Sequence, residues 1–171
     1  MTSRRLPLLI AAAVVTADQL TKWWVVSALE VGETRSFLPG VLYLHRVENS
    51  GAAFGQLPGA GSFIALGAIA AVVLIMLIVR HLPGRLEAVA MGLVLGGALG
   101  NLVDRIFRGP GLLDGKVVDF ARFDFYHSFP AFNVADSAIT VGAILAVLAA
   151  FVLSRVSTGD EGSTGDAGPS S

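Results

Sequence analysis

Five short stretches carry polar side chains where the surrounding sequence is apolar. They are Asp18 and Lys22 in "DQLTK", Asn49 in "ENSG", Asn101, Asp104 and Arg105 in "GNLVDR", Asp119 in "KVVDF", and Asn133 and Asp136 in "FNVAD". An ionisable group at bilayer depth costs about 2.5–3.5 kcal/mol on insertion scales, so each asks for an explanation. Asp18 and Lys22 are spaced i, i+4 with the acid first, so on a helix they share a face and can neutralise each other; an ion pair that orients its helix is the reading favoured over direct chemistry. Asn133 and Asp136, spaced i, i+3, also share a face. Helix capping explains one such residue well and two less well, which leaves Asn133 to cap while Asp136 reacts. Asp119 sits among Val117, Val118 and Phe120 in a predicted loop. Asp114 and Asp124 read as carboxylates turned to water, but bulky apolar neighbours would raise the cost of a buried charge at Asp119.

The chain has no cysteine, which removes disulfides, thiolate metal sites and cysteine nucleophiles together. His45, His81 and His127 have no spacing suited to a metal site, and His127 reads as an interfacial structural residue because no activated nucleophile pairs with it. Ser50 and Ser137 lie beside the polar cluster, yet the one deep lysine, Lys22, is expected to be occupied by Asp18.

The elements that would carry these residues are membrane helices. Of 171 residues 54% are hydrophobic and only 15% charged, against roughly 25% in soluble domains, and the mean hydropathy is +0.71. A net charge of -1 and a pI near 6.3 provide no basic surface for nucleic acid. About 20 apolar residues cross the hydrocarbon core as a helix, and segments near that length predict helices at Leu6–Leu29, Gly61–Val79, Leu86–Val103 and Ala131–Leu153. The basic, then apolar N-terminus also fits a cleaved secretory signal. Against that, the helical pattern continues through Asp18 and Lys22 into Trp23 and Trp24, a pair suited to the membrane interface. Between the first two helices, the Pro39-Gly40 turn signal followed by "VLYLHRV" predicts a strand, apolar on both faces and suited to a sheet at the lipid surface. The Gly-, Ser- and acid-rich end has little to bury, so residues 1–155 are expected to form one polytopic domain and 156–171 a disordered cytoplasmic tail.

In an up-down-up-down bundle the late ends of odd helices and the early ends of even ones meet on one side of the membrane, and the polar residues fall there. Gly92, Gly96 and Gly100 recur every four residues, the small-xxx-small pattern of close helix approach, which would hold Asn101 and Arg105 in place. Arg4, Arg5, Arg80, Arg85 and Arg155 nearly tie in number with the cations of the two long loops. Their density puts both termini and the "RHLPGR" turn in the cytoplasm and the loops outside.

Taken together, "DQLTK", "ENSGAAFG", "GGALGNLVDR", "VVDF" and "FPAFNVADSAITVGA" resemble the lipoprotein signal peptidases, the type II signal peptidases of bacteria, in five ordered blocks across residues 6 to 153. The resemblance implies a mainly α membrane protein of the bacterial cytoplasmic membrane, with four transmembrane helices and a small extracytoplasmic β-sheet cradle. It implies an aspartic endopeptidase that cuts prolipoproteins before the lipid-modified cysteine, with Asp119 and Asp136 as the catalytic pair. Asp18, Asn49, Asn101, Arg105 and Asn133 match the family's other polar site residues, and Lys22, Gly51 and Phe54 within the same blocks are placed with them as substrate-binding or site-supporting. No cofactor or metal is implied; the partners are prolipoprotein substrates and membrane lipid, and the protein is expected to be a monomer. Two departures are peripheral: the "RGPGLLDGK" connection is long for the family, which bears on loop geometry and not on the chemistry, and the acidic, Ser-rich tail lies outside the pattern.

Three other readings compete. A small ion transporter also uses intramembrane Asp, Asn and Arg, but would spread them through the membrane depth. A lipid transferase would hold Mg2+ on Asp side chains and be sensitive to chelators. A non-catalytic bundle would leave Asp119 and Asp136 replaceable.

Overall fold

The computed structural model describes residues 5–51, 61–79, 82, 84–126 and 128–161, the last ten by their backbone alone. Helix α1 spans Arg5–Ala28, strands β1 and β2 span Thr34–Leu38 and Leu42–Asn49, and helices α2 and α3 span Gly61–Ile78 and Arg85–Phe107. Strand β3 spans Val117–Phe123 and helix α4 Val134–Glu161. Among the described residues four helices are long and apolar enough to cross a membrane. Their outward faces carry Leu20, Phe63, Leu66, Leu77 and Val147, all exposed. Such a surface suits hydrocarbon, since helices satisfy their backbone internally and present only side chains to lipid. Trp23 and Trp24, near the end of α1, are exposed as interfacial aromatics are.

Helix α3 is the hub, packed against α1, α2 and α4. Its glycines make this possible. A β-carbon at Gly96 would lie 2.7 Å from Cβ of Val14 and 2.9 Å from Cα of Ala11, so α1 approaches at backbone distance. At Gly100 it would meet Oδ2 of Asp18 at 2.8 Å, so the absence of a side chain leaves room for a carboxylate.

The three strands form an antiparallel sheet in the order β1-β2-β3. Pro39 and Gly40 make the β1-β2 turn. Gly40 has φ +77° and Val41 donates its N–H to Leu38 O at 3.0 Å, as expected of a type II turn with Pro and Gly at its centre. Between the pairs Leu44↔Ala121 and Val47↔Asp119 the β2 side runs one residue longer, a bulge next to Asp119. The sheet is seated on α1 by Val25, Leu29, Leu44, Phe120 and Ala121, which form one buried cluster. Arg46 Nη1 donates to Leu29 O at 2.8 Å, a cation on the carbonyl end of the helix. Phe132 pairs with Ala121 in both directions, at 2.8 and 2.9 Å, and so ties the start of α4 to β3.

Several expectations need correction. Asp119 lies in β3, not in a loop. Helix α3 runs four residues past Val103, which keeps Asp104 and Arg105 in regular helix. Helix α4 starts at Val134 rather than Ala131, because Phe132 is spent on the bridge to β3. It also continues to Glu161, so residues 156–161, assigned to the tail, are helical; no proline interrupts them. Residues 162–171 lie outside the described residues.

Candidate active site

Asp119 and Asp136 line one cavity of about 360 Å³, together with Asn49, Gly51, Asn101 and Arg105 and the apolar side chains Ile64, Val117, Phe129, Phe132 and Ile139. Asp119 is 4% exposed and Asp136 half-buried. Strand β3 delivers the first and the opening turn of α4 the second, and the Phe132–Ala121 bridge holds the two elements together.

Three asparagines orient the carboxylates, and each is itself oriented. Asn49 Oδ1 accepts the N–H of Gly51 at 3.0 Å, so its Nδ2 is left to donate to Asp119 Oδ2 at 3.1 Å. Asn101 Oδ1 accepts from Lys22 Nζ at 3.0 Å, and its Nδ2 donates to Asp136 Oδ1 at 2.8 Å. Asn133 Oδ1 accepts the N–H of Asp136 at 2.8 Å, and its Nδ2 donates to Asp119 Oδ1 at 2.7 Å. An amide whose oxygen already faces a donor cannot flip without opposing like dipoles, so each NH2 group is held toward a carboxylate, and that of Asn133 also reaches Asn101 Oδ1 at 3.2 Å. Asp136 Oδ2 accepts the N–H of Asn133 at 3.2 Å, which completes a reciprocal capping box with Asn133 at the cap and Asp136 at its third residue.

Burial pushes the Asp119 carboxyl up to about 7, and the charge of Asp136 pushes the same way, while the hydrogen bonds from Asn49 and Asn133 oppose the rise. Near neutral pH this group therefore exchanges a proton, as a general acid or base must. Arg105, 5% exposed, donates from Nη2 to Gly51 O at 3.2 Å, and its Nη1 has no hydrogen-bond partner among the described residues.

Behind the cavity, Asp18 and Lys22 form the ion pair that their spacing predicts, at 2.8 Å and with both side chains fully buried. Lys22 also reaches Asp104 Oδ2 at 2.9 Å, and Arg108 Nε reaches Asp104 Oδ1 at 2.8 Å, so two buried acids face two cations. Gln19 Nε2 bridges Asp18 and Asp104 at 3.1 and 3.2 Å. The sequence groups Asp104 with the polar residues but assigns it no role, and it misses Gln19 and Arg108; the i, i+4 spacing of Asp104 and Arg108 is the one available signal. Phe54, His81 and His127 lie outside the described residues. Among the described residues no group of three or more His, Asp or Glu is placed to hold a metal ion.

Fold and pocket together define a class: a polytopic membrane protein in which a polar cavity is lined by a carboxylate pair, one member of which is carried by a small sheet. A family model described as "Signal peptidase (SPase) II" matches residues 10–152. The chain belongs to the signal peptidase II family, as the five sequence blocks suggest. It is 43% identical over 155 residues to the lipoprotein signal peptidase of Geobacillus kaustophilus (strain HTA426), covering 89% of this chain and 97% of the relative. To that of Rhodococcus jostii (strain RHA1) it is 45% identical over 146 residues, covering 85% of this chain and 72% of the relative. Two solved structures described as bacterial membrane enzymes are similar. One has a TM-score of 0.76 at 29% identity, covering 96% of this chain and 94% of its own. The other has a TM-score of 0.73 at 34% identity, covering 84% and 90%.

Proposed function

We propose that this chain is an aspartic endopeptidase that removes signal peptides from lipid-modified prolipoproteins, cutting before the diacylglyceryl cysteine, with Asp119 and Asp136 as the catalytic pair. The observation that carries the reading is the cavity that Asp119 and Asp136 both line, with the buried Asn133 hydrogen-bonded to each of them. Two carboxylates in one site cannot both ionise cheaply, so the pair keeps one proton. The ionised member takes a proton from a bound water as the water oxygen forms its bond to the scissile carbonyl carbon. The protonated member gives its proton to the carbonyl oxygen. The resulting diol collapses as the C–N bond breaks and a proton passes to the departing nitrogen. No covalent intermediate and no metal enter this sequence. Which carboxyl starts protonated is a property of the pair.

Asn49, Asn101 and Asn133 keep the carboxylates aimed while adding no charge. The Arg105 guanidinium faces the same cavity and offers a cation to the carbonyl oxygen as charge develops there. Apolar walls from Ile64, Val117, Phe132 and Ile139 favour a lipid-bearing peptide over a free polar one. The protein works as a monomer in the bacterial cytoplasmic membrane, with both termini inside and the cavity near the outer face, a placement supported by the arginine density at the termini and the "RHLPGR" turn. Incubation of the purified protein with lipidated and unlipidated precursors, with and without chelator, tests the reading: cleavage of the lipidated form alone, indifferent to chelator, is expected, and cleavage that stops with chelator overturns it.

A further inference from the structure

Asp119 and Asp136 stand on different elements, and a reaction between them tolerates little relative drift, since a displacement of about 1 Å can cost about 100-fold in rate. In each case the backbone just before the aspartate is gripped by a buried carboxylate. Val118 donates its N–H to Asp104 Oδ2 at 3.1 Å, and Ala135 donates its N–H to Asp18 Oδ1 at 2.9 Å. Asp18 belongs to α1 and Asp104 to α3, and a single ammonium joins them: Lys22 Nζ lies 2.8 Å from Asp18 Oδ2 and 2.9 Å from Asp104 Oδ2. Its third donor goes to Asn101 Oδ1 at 3.0 Å, which leaves Asn101 Nδ2 for Asp136. A lysine ammonium has three protons, and all three are used.

We infer that Lys22 is a positioning residue for both catalytic carboxylates: through Asp104 it fixes the strand bearing Asp119, through Asp18 the helix bearing Asp136, and through Asn101 the carboxyl of Asp136 itself. Lys22 is fully buried and does not line the cavity, so it acts through these partners and not on substrate. Without the ammonium, Asp104 keeps Arg108 but Asp18 loses its cation and takes up a proton or moves away. Asn101 Oδ1 is then left with the longer bond from Asn133 Nδ2 at 3.2 Å, so its aim at Asp136 loosens. This rests on the proposed roles of Asp119 and Asp136.

The test is steady-state cleavage of a lipidated precursor by purified, folded Lys22→Met, with kcat and KM resolved and folded fraction measured separately. The expected result is a kcat about 100-fold lower per folded molecule with KM nearly unchanged. A parental kcat per folded molecule, whatever the loss in Tm, overturns the inference and leaves Lys22 a purely structural ion. Should Lys22→Met fail to fold, Asp104→Asn decides, because it keeps an oxygen for Val118 N–H but weakens the hold on Lys22. A kcat reduced about tenfold, partly regained relative to Asp104→Leu, supports the inference, and an unchanged kcat overturns it. Asp119→Asn and Asp136→Asn are assayed beside them. Turnover surviving in those variants sinks the catalytic pair, whereas turnover lost there and full in Lys22→Met sinks only the positioning role.

Discussion

Asn133 and Asp136 cap each other: the side-chain oxygen of Asn133 accepts the N–H of Asp136 at 2.8 Å, and Asp136 Oδ2 accepts the N–H of Asn133 at 3.2 Å. The same asparagine spends its NH2 on Asp119 at 2.7 Å, so the start of α4 and the carboxylate pair are one hydrogen-bonded unit. Helix formation and site assembly are thus the same event at this turn, which explains an amide and a carboxylate at the mouth of an apolar helix.

Asn133→Ser separates the two roles. Serine still caps the helix but has no NH2 to give Asp119, so turnover should fall about tenfold or more while Tm stays near the parent's. Asn133→Ala loses both and should also cost about 1 kcal/mol of stability. Thermal unfolding alongside kcat checks this, and equal turnover in the serine variant and the parent would remove the Asn133–Asp119 bond from the account.

The raised Asp119 pKa makes a stability prediction with a defined sign. In the unfolded chain this carboxyl ionises near its ordinary value of 3.8, in the folded protein near 7, so between those values the folded state holds the extra proton and stability falls as pH rises. Asp119→Asn removes the penalty. Its Tm should exceed the parent's at about pH 8 and approach it at about pH 4. A variant less stable than the parent at the higher pH would contradict the assigned burial.

Catalysis should share that dependence. If the pair must retain one proton, kcat/KM declines on the alkaline side by about tenfold per pH unit once the shared proton is lost, in a profile whose limbs belong to the pair. With Asp119 at about 7, the decline begins near neutrality. A rate flat through that region would show that the proton is not needed.

Gly96 tests the packing that carries α1, and with it Asp18 and Lys22, to the site. A β-carbon there meets Val14 Cβ at 2.7 Å and Ala11 O at 2.9 Å. Gly96→Val should destabilise the fold by about 1–3 kcal/mol through overpacking, seen as a lowered Tm in detergent. An unchanged Tm would mean that the two helices do not need this close approach.

The membrane helices were legible because hydropathy over 18 or more residues is a strong signal; α1 was expected at Leu6–Leu29 and lies at Arg5–Ala28. The pair Asp18 and Lys22 was legible for the same local reason, its i, i+4 spacing. Strand β2 announced itself through Pro39-Gly40 and the apolar run after it. Strands β1 and β3 did not: β1 is exposed throughout, and "VVDFA" in β3 is buried without alternation, so neither shows a period of two. The role of Asp104 was hidden because its partners Lys22 and Val118 come from other elements, and only the fold brings them together.

The pair itself is tested most directly by Asp119→Asn and Asp136→Asn, each purified, shown to be folded, and incubated with a lipidated prolipoprotein while the new N-terminus is read by mass spectrometry. Neither variant should release the signal peptide, whereas the parent should leave the lipid-bearing cysteine as the first residue. Parental processing by either folded variant would contradict the central claim.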